Sequence, residues 1–346
     1  MKGDNVLGPV VEIIAELAQG FEGRADQARL LIQAAAAAGA DAAKFQMIFA
    51  DELAAPDYKH YPLFQTLEMP DEVWRSLADR ARDLGIELQV DIFGTRSLAL
   101  AETLGLGAVK LHPTDVANRG LLEAVAASSA RRVLLGAGGT HADELDAALA
   151  ILAGKPVVVL LGFQTYPTPD AANHISRVGL LANRLRESHP DARIGFADHA
   201  APESPLRYAL AATAVGAGAT VIEKHLTLGR AMKLEDHESA LNPDEFAEFV
   251  TAIRGCAAAI GAGTPTGDFG MSEAEQGYRA AIRRHVVAAR PLAKGAMLTP
   301  ADVCLKRTSA EQPLTDLALA YHRTLTRDVA ANAPILPADL DRGPRS

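Results

Sequence analysis

The chain has 346 residues, 49% of them hydrophobic and 22% charged, with a formal net charge of −9. That is more apolar material than one small domain needs, and an acidic chain without a Lys/Arg block is a poor partner for nucleic acid. No run approaches the ~20 apolar residues of a membrane span, the opening MKGDNVLGPVVEIIAEL lacks signal-peptide order, and Cys256 and Cys304 have no metal-site spacing, so a cytoplasmic protein with two reduced thiols is expected.

Short apolar, β-branched runs alternate with longer stretches of helical period. Residues 10–17 form the first run, and a helix from Ala25 follows, with the Ala-rich stretch 34–38 ended by Gly39. The second run is 42–47, and Pro70 with Asp71 opens a helix that ends near Gly85. Run 87–93 precedes helix 96–104, run 108–112 precedes helix 118–128, and run 131–137 precedes helix 141–153. Run 156–162 precedes helix 174–188, and run 193–199 precedes helix 204–217. Run 219–226 precedes helix 243–260, where Asn242 and Pro243 supply the N-cap and first turn.

Eight strand-then-helix units predict a parallel sheet with right-handed crossovers, and a count of eight favours a closed (β/α)8 TIM barrel. No Gly-rich dinucleotide fingerprint follows the first run, which continues Glu16-Leu17-Ala18-Gln19-Gly20-Phe21-Glu22-Gly23. The barrel is expected over residues 1–262 and a Gly/Thr/Pro-rich linker over 263–282. A small β-rich domain is expected over 283–346, with strand-like runs at 283–290, 303–307 and 333–340. Such a module holds little core alone and needs another surface to dock on.

Barrel chemistry sits at the C-terminal ends of the strands. There the sequence places Glu16, Lys44 with Gln46, Lys110 with His112, Phe163-Gln164-Thr165-Tyr166, Asp198-His199 and Glu223-Lys224-His225. Charged residues inside apolar strands are costly to bury unless paired or liganded, so six strands ending this way point to a site. His199 and His225, on neighbouring strands at similar depth, are candidate ligands for one divalent ion. With no Cys taking part, Mn2+, Co2+ or Mg2+ suits them better than structural zinc. Lys44 and Lys110 would neutralise a phosphate or carboxylate; the competing reading is a Schiff-base lysine. Tyr166 lies in a Pro-flanked turn and either packs on a substrate or fixes its loop, and the single Trp74 reads as helix packing.

The stretches IIAELAQGFEG, AGADAAKFQ, TYPTP, GFADH, GATVIEKHLTL, EDHESALNPDEF and RRHVVAARPLAKGAMLTPADVCLKR carry a family resemblance. The chain resembles N-acetylneuraminate (sialic acid) synthases and their legionaminic and pseudaminic acid relatives, from about Val11 to Leu340. The C-terminal module is similar to their SAF (antifreeze-like) domain. This resemblance implies a (β/α)8 barrel, Mn2+, and condensation of phosphoenolpyruvate with an N-acylated hexosamine. It also implies a homodimer in which the SAF domain of one subunit caps the partner's site. Carried over by position, His199 and His225 are the metal ligands, and Lys44 and Lys110 hold phosphoenolpyruvate. Glu16, Gln46, Glu223 and Asp236 surround the sugar and reacting oxygens, Asp198 and Thr114 join the substrate contacts, and Arg307 reaches the partner's sugar.

The chain departs from the family pattern at several positions. Gly20-Phe21-Glu22-Gly23 stands for Asn-His-Asn-Gly, Asp91-Ile92-Phe93-Gly94 for Thr-Pro-Phe-Asp, and His112-Pro113-Thr114-Asp115 for Ala-Ser-Gly-Asp. Gly136-Ala137-Gly138 replaces Ser-Thr-Gly, and Ala197 replaces the serine of Ser-Asp-His. Thr114, Thr95 and the backbone N–H groups of 136–139 are the expected compensation, while the acidic Asp91 stands where it can pair with the two lysines. Three rival readings remain: a Schiff-base sialic acid aldolase, a degenerate sugar- or metal-binding homologue, and a synthase of 3-deoxy sugar acids, which the SAF-like tail opposes.

Overall fold

The computed structural model describes residues 10–163, 165–261 and 267–341. The chain divides into two compact units, Met1–Ala262 and Gly263–Ser346.

In the first unit eight parallel strands close into a barrel. They are Glu12–Ala18 (β1), Ala42–Gln46 (β2), Glu87–Ile92 (β3), Ala108–Leu111 (β4), Arg132–Gly136 (β5), Val157–Leu161 (β6), Arg193–Asp198 (β7) and Val221–His225 (β8). β1 pairs with β2 on one side and β8 on the other, which closes the ring. The register sets Glu16 beside both Lys44 and His225, and Asp91 beside Lys110. Residues far apart in the chain therefore share one layer at the strand ends.

Below that layer lies a small apolar level. Ile14, Ala42, Ala108, Leu134, Val158 and Val221 belong to a small buried cluster of their own. Gly195 belongs to the same crowded level: a Cβ there would stand 2.5 Å from Leu160 Cδ2 and 3.1 Å from Val221 Cβ, closer than packed atoms tolerate. The larger core lies between strands and helices. Its centre includes Trp74, on helix Asp71–Asp83, which meets Phe21 and Phe45 edge-on at 5.9 and 6.1 Å between ring centroids. Trp74→Ala removes a fully buried aromatic from a site closed by two others. It is expected to cost about 3–5 kcal/mol in urea unfolding followed by circular dichroism; a loss below ~1 kcal/mol would mean that the site collapses freely.

Short helices at Ala50–Leu53 and Tyr61–Leu67, after β2, were not expected. They are four and seven residues long, too short for a periodic signal. The segment read as a linker is also corrected, because Glu273–Ile282 is helical and capped by Ser272, whose Oγ accepts from Glu275 N. In the second unit, His285–Ala288 (β9) and Val303–Lys306 (β10) pair antiparallel. Their core includes Val286, Leu298, Leu325, Val329 and Ile335. Residues 333–340 form no regular strand but make isolated bridges, Val287 to Pro334 and Leu325 to Leu340, around a short 3-10 turn, Pro337–Asp339. Two prolines, Pro334 and Pro337, deprive that stretch of ladder donors. Among the described residues no helix is long and apolar enough to cross a membrane.

Candidate active site

Five strands send one charged side chain each into a common buried cluster. Lys44 of β2 donates to the carboxylate of Glu16 on β1 and, at 2.6 Å, to Asp91 Oδ1 on β3. Lys110 of β4 donates to Glu223 Oε1 of β8 at 2.7 Å. β4 and β8 are not neighbours in the barrel, so this pair crosses the lumen. The remaining approaches are Lys44 to Glu223 Oε2 at 3.5 Å, Lys110 to Asp91 Oδ2 at 3.6 Å and Lys110 to Glu16 Oε2 at 3.7 Å. Each of the two ammonium groups thus faces all three carboxylates.

Burial penalises every charge in this cluster, and the partners decide which survive. Burial alone would lower the pKa of Lys44, but Asp91, Glu16 and Glu223 outweigh it and hold that ammonium well above its ordinary value. Burial would raise Glu223, yet Lys110 and Lys44 hold its carboxyl well below the usual range. For Glu16 burial wins over the pull of Lys44, and its carboxyl is pushed up to about 7.

The two histidines sit beside this cluster. His199 follows β7, His225 ends β8, and their ring centroids are 5.3 Å apart. Burial lowers His199 to about 4 and, with His199 as neighbour, takes His225 well below its ordinary value, so both rings are neutral at pH 7. The His199 carbonyl accepts from Thr168 N at 2.8 Å and Ser239 Oγ at 3.0 Å, which fixes the backbone that presents the ring. The ring's own Nδ1 is buried with no hydrogen-bond partner. An orphaned ring nitrogen beside a second neutral imidazole is a donor set that fits a divalent ion. Among the described residues no group of three or more His, Cys, Asp and Glu side chains could hold a metal. A cation here would therefore take its remaining ligands from substrate and water. Tyr166 stands edge-on to both rings, at 5.0 Å from His199 and 5.6 Å from His225, while remaining 40% exposed. Asp236 Oδ2 is 3.9 Å from His225 Nδ1, and burial with Glu235 and Glu238 nearby pushes its carboxyl up to about 7.

Of the expected site residues, the structure thus gathers Glu16, Lys44, Lys110, Glu223, His199, His225, Tyr166 and Asp236. Gln46 is half-buried and accepts from Gln19 Nε2 at 2.8 Å. Thr114 is exposed on the turn Pro113–Asp115, its hydroxyl 2.8 Å from His112 Nδ1. Arg307 belongs to the second unit, where its Nε donates to Ile282 O at 3.2 Å. Gln164 lies outside the described residues.

Asp198 is a correction. Its carboxylate is fully buried, 3.2 Å from Lys224 Nζ, and accepts from Ala200 N at 2.8 Å. Period two turns Asp198 and Lys224 away from the face that carries His199, Glu223 and His225. Thr95 is exposed at a helix start. The start of helix Thr95–Thr103 already holds a carboxylate, because Glu52 accepts from Arg96 N at 2.5 Å and Ser97 N at 3.1 Å, which leaves those N–H groups unavailable to a phosphate. The supports from Thr168 and Ser239 have no counterpart in the sequence reading, and Lys224, expected with its neighbours at a strand end, is turned from the site by the alternation along β8.

The NeuB family model matches residues 31–265, most of the first unit. The chain belongs to the NeuB family. The SAF domain model matches residues 283–341. Among NeuB relatives, the spore coat polysaccharide biosynthesis protein SpsE of Bacillus subtilis is 34% identical over 257 residues, covering 70% of this chain and 67% of that protein. An N,N'-diacetyllegionaminic acid synthase of Legionella pneumophila is 26% identical over 347 residues, covering 94% of this chain and 93% of the synthase. The crystal structure of the N-acetylneuraminic acid (sialic acid) synthetase from Leptospira borgpetersenii, in complex with citrate, superposes with a TM-score of 0.70 at 27% identity. It covers 79% of this chain and 92% of that one. The barrel and the small C-terminal domain are thus shared with the NeuB synthases.

Proposed function

We propose that this chain condenses phosphoenolpyruvate with an N-acylated hexosamine, giving a nonulosonic (sialic-type) acid and phosphate. The observation that carries this reading is the pair of neutral imidazoles 5.3 Å apart at the strand ends, beside the ammonium groups of Lys44 and Lys110. The names of the relatives, synthases of legionaminic, pseudaminic and sialic acids among them, support the same class.

In the reaction, C3 of the enolpyruvyl group forms a bond to the aldehyde carbon of the open-chain sugar. Water adds at C2, and inorganic phosphate leaves by C–O cleavage. A divalent ion held by His199 and His225, Mn2+ or otherwise Co2+ or Mg2+, would supply Lewis-acid polarisation of the aldehyde oxygen. Lys110, the more accessible of the two lysines, meets the anionic groups, with Lys44 behind it. Glu16, pushed up to about 7, exchanges a proton at neutral pH and fits the step in which water adds. Tyr166, exposed beside the two imidazoles, offers a face to the sugar. Arg307 would act in a partner's site, in a cytoplasmic homodimer capped by exchanged SAF domains.

A Schiff-base lyase needs a neutral amine. Lys44 is held charged by three carboxylates, which opposes that reading. The deciding experiment is phosphate release from phosphoenolpyruvate across a panel of N-acylated hexosamines, free and phosphorylated, with and without chelator. One sugar class is expected to give release that chelator stops and Mn2+ restores. No release with any sugar would leave the degenerate binding homologue as the better account.

A further inference from the structure

The cluster of Lys44, Lys110, Glu16, Asp91 and Glu223 is a closed cage. Each ammonium has three N–H donors, and each faces three carboxylates. With every group ionised the cage carries three negative and two positive charges, a net of −1. Lys44 donates to Glu16 and Asp91 and Lys110 to Glu223, and further carboxylate oxygens 3.5, 3.6 and 3.7 Å away compete with an incoming anion for what donor capacity is left.

The three carboxylates differ in what else they do. Glu16 Oε1 also accepts from Ala18 N at 2.8 Å and so fixes the end of β1. Glu223 lies on the strand that presents His225. Asp91 has no such second duty. Its Oδ1 bonds Lys44 at 2.6 Å, its Oδ2 lies 3.6 Å from Lys110, and among the described residues Oδ2 has no hydrogen-bond partner. The side chain is fully buried between the two ammoniums.

We infer that Asp91 is a built-in counter-anion that stands between Lys44 and Lys110 where a substrate oxyanion would sit, and so sets how tightly this site holds phosphate or carboxylate groups. An anion enters by exchange with a carboxylate of the protein. Free inorganic phosphate, which brings no other contacts, is held weakly, while a larger substrate with contacts of its own still binds. Asp91 is thus a positioning and specificity residue acting through the lysines. The inference rests on the proposed reaction only for its consequence, that released phosphate leaves the site readily.

The test is calorimetric titration of inorganic phosphate into the full chain, with no turnover required. The wild type is expected to bind it with a millimolar or weaker Kd. Asp91→Asn is expected to bind it about tenfold tighter or more, and Asp91→Glu to return to weak binding. Asp91→Thr, with a β-branched side chain suited to a strand, makes the same comparison if the asparagine variant does not fold. Where turnover is measurable, the KM for phosphoenolpyruvate falls and phosphate inhibition sharpens in Asp91→Asn; a merely structural role would lower kcat and leave phosphate inhibition unchanged. A micromolar phosphate Kd in the wild type overturns the inference even if no variant folds. So does an Asp91→Asn affinity within twofold of wild type, or an Asp91→Glu chain that binds like Asp91→Asn. Failure of the whole sugar panel would overturn the synthase reading alone, because phosphate titration does not depend on it.

Discussion

A His225→Ala chain is expected to lose product formation by about a thousandfold or more and to stop binding Mn2+ in a calorimetric titration. The size follows from the ligand count. Among the described residues no third His, Cys, Asp or Glu joins the two imidazoles, so this substitution removes half of the protein's donor set. Glu223 does not take over, because its carboxylate is already held by Lys110 at 2.7 Å. The alanine also leaves a small cavity beneath Tyr166. A thermal melt separates that packing loss, worth about 1–3 kcal/mol, from the loss of the ion. Retention of more than a tenth of wild-type turnover with excess Mn2+ would remove His225 from the chemistry. Unchanged Mn2+ binding would remove it from the metal site whatever the turnover.

Most of the barrel is legible in the sequence because its signal is local. The strand runs are short, apolar and separated by helices of ordinary length, and the structure keeps all eight in parallel order. The strand-end residues were legible for the same reason, since a Lys or His in an apolar run has a cost that only a site offsets. Two features lie outside that signal because they are not local, and a third is local but misleading. The cage closes through Lys110 and Glu223, which are 113 residues apart and on strands that do not pair. The carboxylate that fills the start of helix Thr95–Thr103, Glu52, comes from another segment. Asp198 looked like a site residue by adjacency to His199, whereas the pleat sends neighbours to opposite faces. Helix Glu273–Ile282 is a different case: Ser272 and Glu275 spell a capping box in plain sequence, but the Gly- and Pro-rich stretch before them carries the opposite signal.

Lys44→Met is expected to destabilise the barrel by about 3–5 kcal/mol, because it deletes one partner of a buried ionic cluster and leaves the others. The methionine fits the space, so the loss is electrostatic. Three carboxylates would then face Lys110 alone, and the cage would move from a net of −1 to −2 with every group ionised. The pH dependence follows from Glu16. Burial already pushes its carboxyl up to about 7 while Lys44 pulls it down, so removing Lys44 raises it further. A carboxyl with a folded pKa above its unfolded one binds more protons when folded, and stability rises as pH falls through the folded value. The deficit is therefore greatest above about pH 8 and shrinks in mild acid, where protonation of Glu16 restores the −1 balance. Charge balance also predicts a rescue. Lys44→Met with Asp91→Asn leaves Glu16 and Glu223 against Lys110, again a net of −1, and should recover more than half of the loss in urea unfolding. A double variant no more stable than Lys44→Met would show that these side chains do not act as one electrostatic unit.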